Sequence, residues 1–158
     1  MLSAVMPLNC FAEESSVNMR EIVIDGSNAN TKENMRYRGA GMVSANNSSR
    51  LLIDYKTEAP EAYDELMEYI FGDEGIGINH LKLEMGSDIN SSSGTEPSVM
   101  RSADEKADVT RGAGYQLAAD AKKVNPDLTV DMLWWSEPKW ITDSDDVYAA
   151  RYKWYKET

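Results

Sequence analysis

At 158 residues the chain has the length of one ordinary domain, and 27 acidic against 16 basic side chains leave a formal charge of -11. That balance argues against a track for nucleic-acid phosphates and against adhesion to an anionic membrane. A single cysteine, Cys10, excludes an internal disulfide framework and a cysteine-rich zinc site, and a single histidine, His80, removes most histidine-based catalysis.

The opening "MLSAVMPLNCFAEESS" is an apolar run ending in small residues ahead of an acidic stretch. Over residues 1–13 it has the shape of a secretory signal without its basic start, which would make the protein secreted or extracytoplasmic; an irregular mature terminus is the other reading. Cys10 lies inside this run and is given no chemistry. Residues 14–34 form a polar, irregular entry, and a catalytic-type domain is expected over 35–158. No later segment is apolar for long enough to cross a bilayer, so stable membrane insertion is not expected.

"MRYRGAGMVSA" suggests a short first strand loosened by Gly39 and Gly41. "PEAYDELMEYIFG" is a one-sided helix: Pro60 suits its first position, Tyr63, Leu66, Met67 and Ile70 share a face, and Gly72 closes it. In "NHLKLEMG", Leu81, Leu83 and Met85 alternate with His80, Lys82 and Glu84, the period of a strand with one apolar and one polar face. A second helix is predicted from about Val109 to Val124, with Leu117, Ala118, Ala121 and Val124 on one stripe and Asn125-Pro126 stopping it. "LTVDMLWW" is a third strand, and "VYAARYKWYKET" carries Tyr148, Tyr152 and Tyr155 at helical spacing.

Strands alternating with helices imply a parallel sheet with helices outside it. A doubly wound sheet would place a glycine-rich phosphate loop after its first strand, but Gly39 and Gly41 have no third glycine in register and no helix directly behind them. The polar alternation of "HLKLE" suits a strand facing a partly polar lumen, so the fold class is α/β, about three βα units of a (β/α)8 TIM barrel. Such a barrel needs roughly 250 residues, so the barrel is expected to be incomplete here.

In either architecture ligands bind at the carboxyl ends of strands, which singles out the loops after Met85 and Trp134. The first, "GSDINSSSGTEPSVMRSADEKAD", is long and hydroxyl-rich, and the second, "WWSEPKW", holds three of the four tryptophans. Aromatic faces with nearby hydroxyls bind sugars well: Trp135 and Trp140 would supply faces, and Ser92, Ser93 and Thr95 hydrogen bonds. Rim packing by Trp134, Trp135 and Trp140 and a solvated serine loop are the alternative. Paired carboxylates would support glycoside hydrolysis, and Glu84, Glu96 and Glu137 lie near this face without a motif marking any as catalytic. Glu84 is expected to pair with Lys82, His80 or a neighbouring strand. "TDSDD" and "DGSNANTKEN" lack the spacing of a helix-loop-helix calcium site and read as solvated loops.

Together "GAGMVSANNSSRLLIDY", "HLKLEMGSD", "GTEPS", "AKKVNPDLT" and "WSEPKW" resemble, in order and spacing, the amino-terminal part of the galactocerebrosidase (galactosylceramidase) glycoside hydrolases, over about Arg38 to Trp140. The resemblance implies an eight-stranded β/α barrel backed by β-rich domains, and retaining hydrolysis of a terminal β-galactoside with no metal or organic cofactor. Two glutamates about 5 to 5.5 Å apart would do the chemistry. By resemblance they follow the fourth and a later strand, so this chain is expected to hold neither and to be inactive alone.

Glu137 stands where animal members carry an aromatic residue. What carries over by resemblance is binding: Trp135 matches the tryptophan bordering the galactose pocket, and Ser92 the sugar-binding threonine of the second loop, with Thr95 as the neighbour that could share the contact. The animal enzymes have a glycine-rich loop in place of "SANNSS", which leaves the aglycone open between galactosylceramide and another β-galactoside or β-glycoside. A carbohydrate-binding protein that kept the pocket without the catalytic carboxylates is the other function class.

Overall fold

In the computed structural model the described residues are 20–28, 37–89 and 94–158. The expectations for the segment 1–13, and for Ser92 and Ser93, lie outside them. Ahead of the main unit, Tyr37–Thr158, the described stretch Arg20–Asn28 contains one 3-10 turn at Gly26–Asn28. In that turn Asp25 accepts hydrogen bonds from the Ser27 amide and hydroxyl.

Three strands carry the main unit: β1 (Ala40–Ser44), β2 (Ile78–Glu84) and β3 (Thr129–Leu133). They lie in the order β1-β2-β3 and every pairing is parallel, with Val43 opposite Lys82 and Lys82 opposite Asp131. Parallel neighbours require crossovers, and helices supply them. Two helices, α1 (Arg50–Glu58) and α2 (Pro60–Phe71), join β1 to β2, and α3 (Ala113–Val124) joins β2 to β3. A single turn, α4 (Lys139–Thr142), and α5 (Val147–Glu157) follow β3. The observed architecture is therefore α/β with a three-stranded parallel sheet.

One face of the sheet meets α1, α2 and α3. Leu81 and Leu83 of β2 pack there with Ile53, Tyr63, Met67, Phe71, Leu117 and Ala121. Each fully buried leucine contributes about 1.5–3 kcal/mol. The opposite face is polar: Asp131 pairs with both His80 (3.2 Å) and Lys82 (3.4 Å). Side-chain alternation on β2 thus separates a helix-facing core from a charged face, as the two-residue period predicts.

Several local expectations are revised. The helix expected from Val109 is split: Val109–Arg111 is a 3-10 turn, and Gly112 is extended before α3 begins. A Cβ at Gly112 would press on the Tyr115 ring at 2.8 Å and stand 3.3 Å from Glu96 Oε1, so this position favours a residue without one. The tyrosine stripe of α5 is not its packed face, since Tyr148, Tyr152 and Tyr155 are exposed while Trp154 is fully buried. Trp154 sits with Met85, Val99, Met100 and Ile141 in a second cluster beneath the loops that follow β2 and β3.

Candidate active site

All three strands direct their carboxyl ends toward one edge, and the chain that leaves each end is held by polar contacts. After β1 the chain turns through Asn46 and Asn47, both left-handed with φ of 52° and 58°. Asparagine enters that conformation more easily than most residues. Its neighbour Ser48 closes the turn on the Ala45 carbonyl, and the buried hydroxyls of Ser44 and Ser49 lie 2.7 Å apart.

Two buried carboxylates grip this turn. Glu84, at the end of β2, accepts the Asn46 amide at 2.6 Å, and Glu96, in the loop that follows, accepts the Asn47 amide at 2.6 Å. Their residues are only 4% and 2% exposed. Burial pushes both carboxyls above their ordinary range against the pull of those amides, and the charge of Glu84 pushes Glu96 higher. The other oxygen of Glu96 is buried without a hydrogen bond of normal geometry, and the Gly114 amide of α3 is the weakest influence on the group.

The second loop is folded back on itself. Gly86 and Ser98 form a parallel bridge, and the Asp88 amide donates to the Glu96 carbonyl at 3.1 Å. Outside them, Arg101 makes two 2.8 Å bonds to Asp88, which hold its carboxyl below the usual range. Gly94 lies against Asn46 so closely that a Cβ there would overlap the Asn46 carbonyl oxygen. Thr95 is therefore bracketed by two contacts to the β1 turn, through Gly94 and through Glu96.

The third loop is joined to the second by Ser136, whose hydroxyl lies 2.5 Å from that of Ser87. Its Glu137, 8% exposed, is bonded by the Arg151 guanidinium of α5, with Nη2 to Oε2 at 3.1 Å and Nε to Oε1 as the second contact. Arg151 also lies 5.7 Å from the ring centres of both Trp134 and Tyr148. This edge is a set of three tied loops, the kind of rim on which an α/β protein places its ligand.

The family model for glycosyl hydrolase family 59 matches residues 37–158, which takes in all three strands and all three loops. The chain belongs to glycosyl hydrolase family 59. Among similar proteins, the galactocerebrosidase of Homo sapiens is 37% identical over 122 residues, covering 75% of this chain and 17% of the human protein. That of Mus musculus is 38% identical over 123 residues with the same coverage, and that of Danio rerio 36% over 103 residues, covering 64% of this chain and 15% of the fish protein. The family 59 chain thus spans only about 15–17% of the length of these curated relatives.

Within this family 59 rim the tryptophans differ. Trp135 stands 57% exposed, whereas Trp140 packs on the second cluster and donates its indole N–H to the Met100 carbonyl at 2.9 Å. Trp140 thus packs at the rim, as the alternative reading expects, with its ring only partly exposed. Of the partners expected for Glu84, Lys82 and His80 go to Asp131 instead, and the bond it does make, from the Asn46 amide, comes from the chain just beyond the neighbouring strand β1. Sequence reasoning placed Glu84, Glu96 and Glu137 near the rim but missed what they hold. The signal lay in "NN" and "GTE": adjacent residues tolerant of left-handed backbone, and a carboxylate beside a glycine that allows close approach.

Proposed function

We propose that the chain is the amino-terminal part of a (β/α)8 barrel in a retaining glycoside hydrolase that removes terminal β-galactose, from galactosylceramide or a related β-galactoside. The carrying observation is the membership of family 59 together with galactocerebrosidase relatives at 36–38% identity. A parallel sheet with helices on one face and a polar opposite face is what the first units of such a barrel need.

In this reading the second and third loops hold the sugar and do not cut its bond. The exposed ring of Trp135 forms one wall, and Thr95, with Ser92 before it, offers hydroxyls. Glu84, Glu96 and Glu137 are assigned to holding the loops, in keeping with their bonds to the Asn46 and Asn47 amides and to Arg151, and the catalytic pair is assigned by resemblance to later strands. The catalytic carboxylates come from later strands of the full-length protein, which works without a metal or organic cofactor. An export signal over 1–13 would place the enzyme outside the cytoplasm.

The test is hydrolysis by the full-length protein of aryl β-galactoside, β-glucoside and β-xyloside, with the product anomer followed by NMR. The expected result is preferential release of galactose with retained β configuration. Binding of galactose without hydrolysis of any of the three would replace the enzyme with a carbohydrate-binding protein.

A further inference from the structure

The two buried carboxylates at the rim are costly to maintain, since a charged or proton-sharing group removed from water needs compensation. Among the described residues neither carboxylate forms an ion pair with a lysine or arginine, and each accepts a backbone amide. Arg111, whose guanidinium reaches the Ser98 and Val99 carbonyls, is committed to Glu105 and Asp108, while Tyr115 of α3 faces Glu96 as a phenol pushed upward by burial and by the Glu96 charge. Residues 44–49, the end of β1 and its turn, contain no titratable side chain. What the carboxylates do hold is two successive amides of that turn, one from β2 and one from the loop carrying Thr95.

We propose that Glu96, through the Asn47 amide, is a positioning residue that fixes the β1 turn against Thr95 and so sets the width of the sugar pocket, with Glu84 holding the adjoining Asn46 amide. The inference rests on the β-galactosidase reading for what fills the pocket, but the clamp itself is a property of the fold. Burial raises both carboxyls, and the Glu84 charge raises Glu96 further, while the amide bonds favour the ionised carboxylates, which accept them most strongly. A raised folded value means that the stability the pair contributes is lost as pH rises through it, while the Asn46 and Asn47 bonds are kept in the ionised state.

The experiment compares full-length wild type, Glu96→Ala and Glu96→Gln, by hydrogen exchange at the amides of 46 and 47 and by kinetics on an aryl β-galactoside across pH. Glu96→Ala should raise exchange at both amides and raise KM about tenfold with kcat changed far less. Glu96→Gln keeps an acceptor for the Asn47 amide and removes the titrating charge, so it should hold KM near wild type where Glu96→Ala does not, and should lessen the loss of stability as pH rises. Unchanged exchange in Glu96→Ala, or a fall in kcat that Glu96→Gln does not rescue, overturns the proposal. If wild type hydrolyses nothing while Glu96→Ala still loosens both amides, the clamp stands and the β-galactosidase reading fails.

Discussion

Gly94→Ala tests the closeness of the second loop to the β1 turn. An added Cβ would overlap the Asn46 carbonyl oxygen and stand 3.2 Å from the carbonyl carbon, both backbone atoms that cannot rotate away. To reach ordinary contact the two segments must part by about 1 Å. The neighbouring Asn47 amide bond to Glu96, 2.6 Å long, would then exceed hydrogen-bonding distance. Overpacking costs about 1–3 kcal/mol and loss of a bond to a carboxylate about 1.5–3 kcal/mol. Parting the segments relieves one as it causes the other, so the two are not additive and about 2–4 kcal/mol is expected. Calorimetry of the full-length protein reads the stability, and KM on an aryl β-galactoside reads the pocket. Gly77→Ala is the control: its φ is +67° with nothing within 4 Å of an added Cβ, so it should cost about 1–2 kcal/mol from strain alone and leave KM unchanged. Equal stability loss in the two variants with KM unaltered in both would refute the close packing.

Trp135→Ala in the full-length protein should weaken galactoside binding, seen as a higher KM in a folded, soluble variant; wild-type kinetics would remove Trp135 from the pocket. Ser92→Ala should cost about 0.5–1.5 kcal/mol of binding, and a silent Ser92→Ala beside an impaired Thr95→Ala would move the sugar contact three residues along. Asp120 on α3 tests pH dependence: burial raises its carboxyl, but Lys123, Lys56 and the Tyr63 hydroxyl outweigh burial and hold it near about 2. Its folded value lies below its ordinary 3.8, so its stabilisation is present above that value and is lost as pH falls toward about 2. Acid unfolding of Asp120→Asn should therefore show a shallower loss over that window, and an identical acid limb would contradict it. The isolated 158-residue polypeptide, whose described sheet ends in β1 and β3 as edge strands, should associate at micromolar concentration, whereas cooperative unfolding as a monomer by analytical ultracentrifugation and calorimetry would count against an incomplete barrel.

The elements with a full apolar period were legible from sequence. Pro60 through Gly72 and the alternation of residues 80–84 fold as their patterns predict, because one face of each is buried by the same core. Helix α1 was not, since "RLLIDYKTE" crowds its apolar residues together and buries only Ile53, leaving no clean stripe. The tyrosines of α5 misdirect for the opposite reason: a regular aromatic spacing points outward, while the less regular Trp154 carries the packing. At the rim, sequence located the loops but not their ties. The bonds of Glu84 to Asn46 and Glu96 to Asn47 span 38 and 49 residues, and that of Glu137 to Arg151 joins a loop to a later helix, so no local pattern announces them.

The left-handed backbone at Asn46 and Asn47 limits which side chains the turn after β1 can carry. The carboxylates recognise main-chain amides, so they are indifferent to which side chains sit above them. The backbone itself admits few: glycine without strain, asparagine or aspartate at little cost, and branched residues poorly. Drift at these two positions is thereby channelled into exchanges that keep the anchor while changing how bulky and how polar the wall is. Under the proposed function, an exchange of either asparagine for glycine would change the wall of the sugar pocket while leaving in place the amides that Glu84 and Glu96 hold.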